Sequence, residues 1–128
     1  MSDFTARLRG LGALSVARAI CDARGIRDVE LLFGRDRHKS VSGARHELMA
    51  WLRARVPELS YPDIGRLFDR DHTTVIHAVN SVNRLILAGN ARVEARHRLP
   101  RDPDGRRVSR GARLNRNPGS GGVGEPPL

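Results

Sequence analysis

Cysteine is scarce and long apolar runs are missing in this chain of 128 residues, and each shortage excludes a class of protein. The single cysteine, Cys21, excludes an internal disulfide, and its apolar neighbours at helical spacing predict a small buried side chain. No run of residues approaches the length of a membrane-spanning helix, and the first residues lack the apolar core of a secretion signal. We therefore expect a cytoplasmic protein with no membrane partner.

Signatures of catalysis and of cofactor binding are also missing. The histidines have no spacing that places two of them on one helical turn as metal ligands, and Cys21 has no candidate base near it in sequence. The glycine-rich run from Gly119 to Gly124 lacks the lysine and the flanking strand and helix of a phosphate-binding loop. We predict that the chain is not an enzyme and that it binds no metal, cofactor or nucleotide.

Arginine is what the chain has in excess. All but one of its 23 basic residues are arginine, the formal net charge is +9, and the isoelectric point is about 11.5. Residues 1–90 hold 14 basic and 10 acidic groups, and residues 91–128 hold 9 and 4, so the net charges are +4 and +5. The arginine fork suits phosphates and guanine edges, although ribosomal and membrane-surface proteins are also basic. Charge alone therefore indicates a nucleic-acid partner only weakly.

The segment from Asp71 to Ile86 is typical of a helix with two unlike faces. Apolar residues recur at helical spacing on one face: Val75, Val79, Val82 and Ile86. Hydrogen-bonding residues follow the same spacing on another face: Thr73, His77, Asn80 and Arg84. Asp71 stands at the N-cap position, where its carboxylate can cap the first turn. A helix with a dry face, a hydrogen-bonding face and a small polar tip fits the DNA major groove.

The segment before it indicates a shorter helix and a tight turn. Ser60 is a candidate N-cap, with Pro62 in the first turn and Asp63 three residues after the cap. Apolar residues then share one face: Ile64, Leu67 and Phe68. Gly65 leaves room for another backbone segment, and a turn of about three residues follows. The two helices make a helix-turn-helix, although an ordinary helical hairpin in a bundle fits the same periodicity.

Three more helices are predicted upstream of this pair. The apolar spacing indicates one helix from about Leu14 to Gly25 and a short one after Asp28. A polar break over residues 34–40 precedes a third helix, which ends at Pro57 and has these core positions: Ala44, Leu48, Trp51, Leu52 and Val56.

Three blocks of sequence carry a resemblance to a known family. They are Val41-Ser42-Gly43-Ala44-Arg45, Tyr61-Pro62-Asp63-Ile64-Gly65-Arg66-Leu67-Phe68 and Arg70-Asp71-His72-Thr73-Thr74-Val75-Ile76-His77-Ala78. With them, residues 12–88 resemble the C-terminal DNA-binding domain of the bacterial replication initiator DnaA. The chain departs from the family pattern by one residue fewer between Phe68 and Arg70 and one residue more between Arg45 and Pro62. The resemblance leaves the exact DNA target open.

Candidate base contacts follow from side-chain chemistry and from the resemblance. Asp71 can accept a hydrogen bond from a cytosine amino group, and His72 can donate to base edges. The methyl groups of Thr73 and Thr74 can pack on thymine methyl groups, and Thr74 can equally bond a phosphate. The resemblance implies that Arg37 reaches into a narrow A·T-rich minor groove.

Candidate phosphate contacts form a second set. They are Arg35, Lys39, Arg45, Arg53, Pro62 and His77. The resemblance implies that two groups match family positions that touch DNA: the basic loop, which carries Arg35, Arg37 and Lys39, and the helix-borne arginines Arg45 and Arg53. Each of these charged side chains also fits the description of an ordinary solvent-exposed surface residue.

We predict an all-α protein: a small helical bundle containing a helix-turn-helix. Residues 1–10 are expected to form a flexible leader, residues 11–90 the DNA-binding domain, and residues 91–128 a largely disordered basic tail. The resemblance implies sequence-specific binding of double-stranded DNA at DnaA-box-like sites, in replication initiation, its regulation or transcription regulation. We expect a monomer, with other replication or regulatory proteins as further partners. Two alternatives stay open: a protein-interaction adapter and a non-specific nucleic-acid binder that uses the arginine-rich tail.

Overall fold

The computed structural model describes residues 3–34 and 38–103, and within them the chain forms six α-helices and one short 3₁₀ helix. The bounds are α1 Asp3–Gly10, α2 Leu14–Ala23, the 3₁₀ helix Val29–Leu32, α3 Lys39–Arg55, α4 Tyr61–Phe68, α5 His72–Leu87 and α6 Ala91–His97. Helix α3 lies at the centre and packs against α2, the 3₁₀ helix, α4, α5 and α6. The predicted all-α bundle is confirmed.

The core of the bundle lies around α3. All five predicted core positions on this helix and its C-cap are fully buried: Ala44, Leu48, Trp51, Leu52 and Val56. The indole N–H of Trp51 donates to the carbonyl of Leu99 at 2.8 Å, so this large side chain is buried without losing its hydrogen bond. The helix begins at Lys39, inside the segment that the sequence predicted as a polar break.

The prediction of a flexible leader is wrong for residues 3–10, which form α1. Phe4 and Leu8 lie one helical turn apart and are both buried. The ring of Phe4 packs against Phe33 and Phe68, with centroid distances of 5.3 and 5.4 Å. A helix of eight residues is marginal on its own. It is therefore stabilised by contacts with residues far away in sequence, which local patterns do not reveal.

The predicted domain boundary at residue 90 is also wrong. Helix α6 follows it, and the side chain of Asn90 caps this helix by accepting a hydrogen bond from the Val93 amide at 3.1 Å. Val93 is buried against the bundle. Residues 104–128 of the predicted tail lie outside the described residues.

Residues 98–103 return from α6 to the beginning of the domain, and we call them the C-terminal clasp. The amide of Asp102 donates to the carbonyl of Gly12 at 2.8 Å, and its carboxylate accepts from the amide of Ser15 at 3.2 Å. Arg101 donates to the carbonyl of Leu11 at 2.8 Å. The clasp therefore joins the C-terminal end of the described chain to the connection between α1 and α2.

A buried carboxylate holds three helices together. Glu47 on α3 is 3% exposed and accepts hydrogen bonds from two arginines. Arg24, at the end of α2, reaches it at 2.7 Å, and Arg96 on α6 reaches its two oxygens at 2.8 and 2.9 Å. The hydrogen bonds that Arg96 donates to Glu47 raise the pKa of Arg96. A charge buried this deeply needs such partners, because it has lost its hydration.

Candidate nucleic-acid interface

Helix α4 begins with the capping arrangement that the sequence predicted. The hydroxyl of Ser60 accepts from the amide of Asp63 at 3.2 Å, and the carboxylate of Asp63 accepts from the amide of Ser60 at 2.9 Å. Burial alone raises the pKa of Asp63, but hydrogen bonds from Ser60 and the nearby Arg66 bring it below its usual value. The start of the helix-turn-helix is therefore fixed by reciprocal hydrogen bonds.

The turn after α4 is tight and is held by backbone contacts. Asp69 adopts the left-handed conformation, with φ 54° and ψ 49°, and ends the helix. The amide of Arg70 donates to the carbonyl of Gly65 at 2.7 Å. A β-carbon at Gly65 would lie only 2.5 Å from the carbonyl oxygen of Arg70, so the predicted close backbone approach is confirmed. This contact fixes where α5 starts relative to α4.

The tip of α5 is exposed, and one expectation about it is wrong. Asp71 occupies the predicted N-cap position, but its side chain makes no capping hydrogen bond. Its carboxylate lies 3.4 Å from Nδ1 of His72, and the side chains are 69% and 54% exposed. A hydrogen bond with the side chain of Thr73 is the main cause of the lowered pKa of Asp71. Asp71 is therefore an exposed, ionised hydrogen-bond acceptor at neutral pH.

The two faces of α5 lie as the spacing predicts. Val75, Val79 and Val82 are buried in the bundle together with Ala78, and Ile86 is half-buried against it. The hydrogen-bonding face is exposed along its whole length: Thr73, His77, Asn80 and Arg84. Thr74 is half-buried beside the tip. The helix presents polar side chains to the outside over about 24 Å, at 1.5 Å per residue.

The basic loop is described only at its ends. Arg35 and Arg37, predicted to contact phosphate and the minor groove, lie outside the described residues. Gly34, the last described residue before them, offers its carbonyl to Nη2 of Arg45 at 3.0 Å and to Nη2 of Arg70 at 2.7 Å. Lys39 is exposed as the first residue of α3. The approach to the loop therefore lies beside the helix-turn-helix turn.

Arg45, which the sequence predicted as a phosphate contact, has its guanidinium engaged inside the protein. It is 6% exposed, and its guanidinium donates to the carbonyl of Leu32 at 2.8 Å as well as to Gly34. A guanidinium buried against backbone carbonyls is poorly placed to reach a phosphate. Arg45 instead supports the segment that leads into the basic loop.

Arg53 and Pro62 lie near the start of α4. Arg53 is half-buried, with its guanidinium carbon 4.9 Å from the centre of the Tyr61 ring, a cation–π arrangement. Its Nε atom is buried and has no hydrogen-bond partner within the described part of the chain. Pro62 is exposed in the first turn.

One residue of this surface was missed at the level of sequence. Arg70 bonds the carbonyl of Gly34, a residue 36 positions away, and the carbonyl of Phe68 at 2.9 Å. No spacing rule connects Arg70 to Gly34, because the two residues belong to different elements that only the fold brings together. The predicted tip residues Asp71, His72 and Thr73 follow directly after it.

Features of other site types are sparse. Among residues 3–34 and 38–103 no group of three or more His, Cys, Asp or Glu side chains is placed to hold a metal ion. Burial raises the pKa of the Cys21 thiol to about 11, with smaller contributions from Asp22 and Asp28. No helix in the described ranges is long and apolar enough to span a membrane.

Comparisons with known proteins agree with this geometry. A family model described as the bacterial dnaA protein helix-turn-helix matches residues 14–82. The chain is 34% identical over 91 residues to the chromosomal replication initiator protein DnaA of Dechloromonas aromatica (strain RCB). These 91 residues cover 70% of this chain and 19% of that protein. It is 39% identical over 71 residues to the proteins of the same name from Caulobacter sp. (strain K31) and Caulobacter vibrioides (strain NA1000 / CB15N), covering 55% of this chain and 14% of each. The chain thus spans less than a fifth of the length of these relatives, and no solved structure matches it significantly.

Proposed function

Because the chain belongs to the family of bacterial DnaA helix-turn-helix domains, we propose that it binds double-stranded DNA at sites resembling the DnaA box. The tip of α5 enters the major groove, where the side chains of residues 71–74 contact base edges. The relatives are named as chromosomal replication initiators. The biological setting that we propose is therefore replication initiation or its regulation.

The observation that carries this proposal is the exposure of the α5 tip on a turn that is fixed in place. Asp71 and His72 are more than half exposed, while the turn before them is held by the Arg70–Gly65 backbone bond at 2.7 Å. Base reading requires donors and acceptors that are both accessible and precisely oriented. The lowered pKa of Asp71 supports its role as an acceptor for a cytosine amino group.

Contacts on either side of the tip hold the register on the duplex. We propose that Arg37 enters the adjacent minor groove and that phosphates are bound by these residues: Arg35, Lys39, Arg53, Pro62 and His77. Phosphate contacts orient a protein on DNA without reading sequence, whereas a minor-groove arginine senses groove width and potential. Arg45 is left out of this set, since its guanidinium is used inside the protein.

The proposal is tested by fluorescence anisotropy with a DnaA-box duplex and a scrambled duplex at two salt concentrations. We expect a preference for the box that persists when salt is raised, even though both affinities fall. Equal binding of the two duplexes that collapses with salt would favour the non-specific binder. Absence of binding to either duplex would favour the protein-interaction adapter.

Truncation of the C-terminal region tests whether the positive charge of residues 104–128 strengthens DNA binding without contributing to folding. Residues 104–128 hold five arginines and two acidic groups, a net charge of +3. We expect a chain ending at Pro103 to keep its stability and box preference while binding any DNA more weakly. Each lost phosphate contact should flatten the slope of log affinity against log salt by about 0.9. Identical slopes for the full and shortened chains would show that residues 104–128 do not touch DNA.

A second truncation is the matched comparison for folding. A chain ending at Leu99 also loses Arg101 and Asp102, whose hydrogen bonds reach Leu11, Gly12 and Ser15. We expect it to unfold at a lower urea concentration than the chain ending at Pro103. Equal midpoints would mean that the clasp contributes little to stability.

A further inference from the structure

One backbone carbonyl links the residue that precedes the basic loop to the helix-turn-helix. The Gly34 oxygen accepts from Arg45 on α3 at 3.0 Å and from Arg70 in the turn at 2.7 Å. Arg45 also bonds the carbonyl of Leu32 at 2.8 Å. The last described residue before the basic loop is therefore held from two directions.

Arg70 connects two segments with a single guanidinium. Its Nη1 donates to the carbonyl of Phe68 at 2.9 Å, at the end of α4, while its Nη2 donates to Gly34. The backbone amide of Arg70 donates to the carbonyl of Gly65 at 2.7 Å, so the backbone from which this side chain extends is held in place as well. The planar arginine fork can satisfy two carbonyls in separate directions, a geometry that the single ammonium of lysine does not reproduce.

We propose that Arg70 is a positioning residue for DNA recognition, which fixes the start of the basic loop relative to the first turn of α5. This inference rests on the proposed function, in which Arg37 and the α5 tip bind adjacent grooves of the same duplex. Two contacts on one rigid duplex must be spaced to match its grooves. Holding Gly34 against the turn before binding fixes where the loop begins, which lowers the cost of ordering the protein on DNA. The preference for the box therefore depends on Arg70 without a base contact from its side chain.

The competing role for Arg70 is a direct phosphate contact. The two roles differ in whether the effect of replacing Arg70 depends on Arg37. A phosphate contact acts independently of Arg37 and depends mainly on positive charge, so lysine would largely replace it. A positioning role acts through the loop, so its effect should shrink when Arg37 has been removed. Contacts that work through one another give non-additive effects in a double-mutant cycle.

The test measures affinity for box and scrambled duplexes in R70A, R70K, R37A and the two double variants that contain R37A. We expect R70K and R70A each to weaken box binding roughly tenfold, with a much smaller effect on the scrambled duplex. In the R37A background the further loss should be less than about twofold. Arg18→Ala, which removes one exposed charge on α2, controls for net charge and should leave the box preference unchanged.

Each other outcome decides against the inference in a distinguishable way. Additive losses, or an R70K protein that binds the box like the unsubstituted chain, would overturn the positioning role and leave the proposed function standing. An unsubstituted chain without any box preference would overturn both. R70K keeps the charge and is the deciding variant if circular dichroism shows that R70A is unfolded under the assay conditions.

Discussion

Replacing Glu47 with alanine is expected to lower the free energy of unfolding by about 3 kcal/mol. The substitution leaves Arg24 and Arg96 without the carboxylate that both now bond, and their side chains are only 24% and 16% exposed. Removal of one partner from a buried ion cluster costs more than the cluster contributes as a whole, because the remaining charges stay desolvated. Helix α6 should loosen first, since the two hydrogen bonds from Arg96 to Glu47 are buried polar contacts between α6 and α3.

Urea unfolding measures this loss, and hydrogen exchange of the α6 amides shows where it acts. Glu94→Ala is the matched control. Glu94 on α6 pairs at 2.8 Å with Arg98, the residue that follows this helix, and the arginine side chain is 72% exposed. An exposed pair of this kind is worth less than about 1 kcal/mol. If the two substitutions had equal effects, the buried cluster would not be what holds α6 to the bundle.

Replacing Gly65 with alanine should have the second large effect, a loss of about 3 kcal/mol. The new β-carbon would meet the Arg70 carbonyl at 2.5 Å and the Asp71 carbonyl carbon at 3.4 Å. These are backbone atoms of the turn, so the clash is relieved only by moving α5 away from α4. The variant should therefore also bind the box duplex more weakly at temperatures where it is still folded.

Gly10→Ala is the control for this substitution. Gly10 ends α1, and a β-carbon there has no other atom within 4 Å among the described residues. We expect no loss of stability and a gain of up to about 1 kcal/mol from helix propensity. Equal thermal midpoints for Gly65→Ala and Gly10→Ala would contradict the close approach in the turn.

Sequence patterns predicted the elements whose signals are local. The capping residues Ser60 and Asp63 lie three positions apart, and the buried positions of α5 repeat at helical spacing. Both kinds of signal act within one or two turns, so they can be recognised without the fold. The same holds for the exposed tip, because small polar residues after an acid mark a helix start.

The predictions that failed concern residues whose partners are distant in sequence. Phe4 packs against Phe33 and Phe68, and α6 is held by a carboxylate 49 residues away from Arg96. Arg45 follows the pattern of a surface arginine, yet it is buried and its guanidinium donates to two carbonyls of the segment before α3. Non-local contacts of this kind outweigh local propensity and leave no periodic signal.

Asp71 shows a finer limit of sequence reasoning. Its position as N-cap was predicted correctly, but the orientation of its carboxylate was not. Orientation depends on side-chain dihedrals and on competing partners such as Thr73 and His72, which a residue pattern does not specify. The difference matters for function, because an acceptor that caps a helix is less available to a base.

The central claim is that the first turn of α5 reads bases, and Thr73→Ala tests it most directly. Thr73 is exposed and lies in the first turn of α5, and alanine is favourable in a helix, so folding should be unaffected. Anisotropy titrations with box and scrambled duplexes should show a loss of about 1–3 kcal/mol on the box and almost none on the scrambled duplex. Asn83→Ala, at an exposed position in the C-terminal half of α5, should change neither affinity. An equal loss on both duplexes, or unchanged affinity for the box, would contradict base reading by this helix.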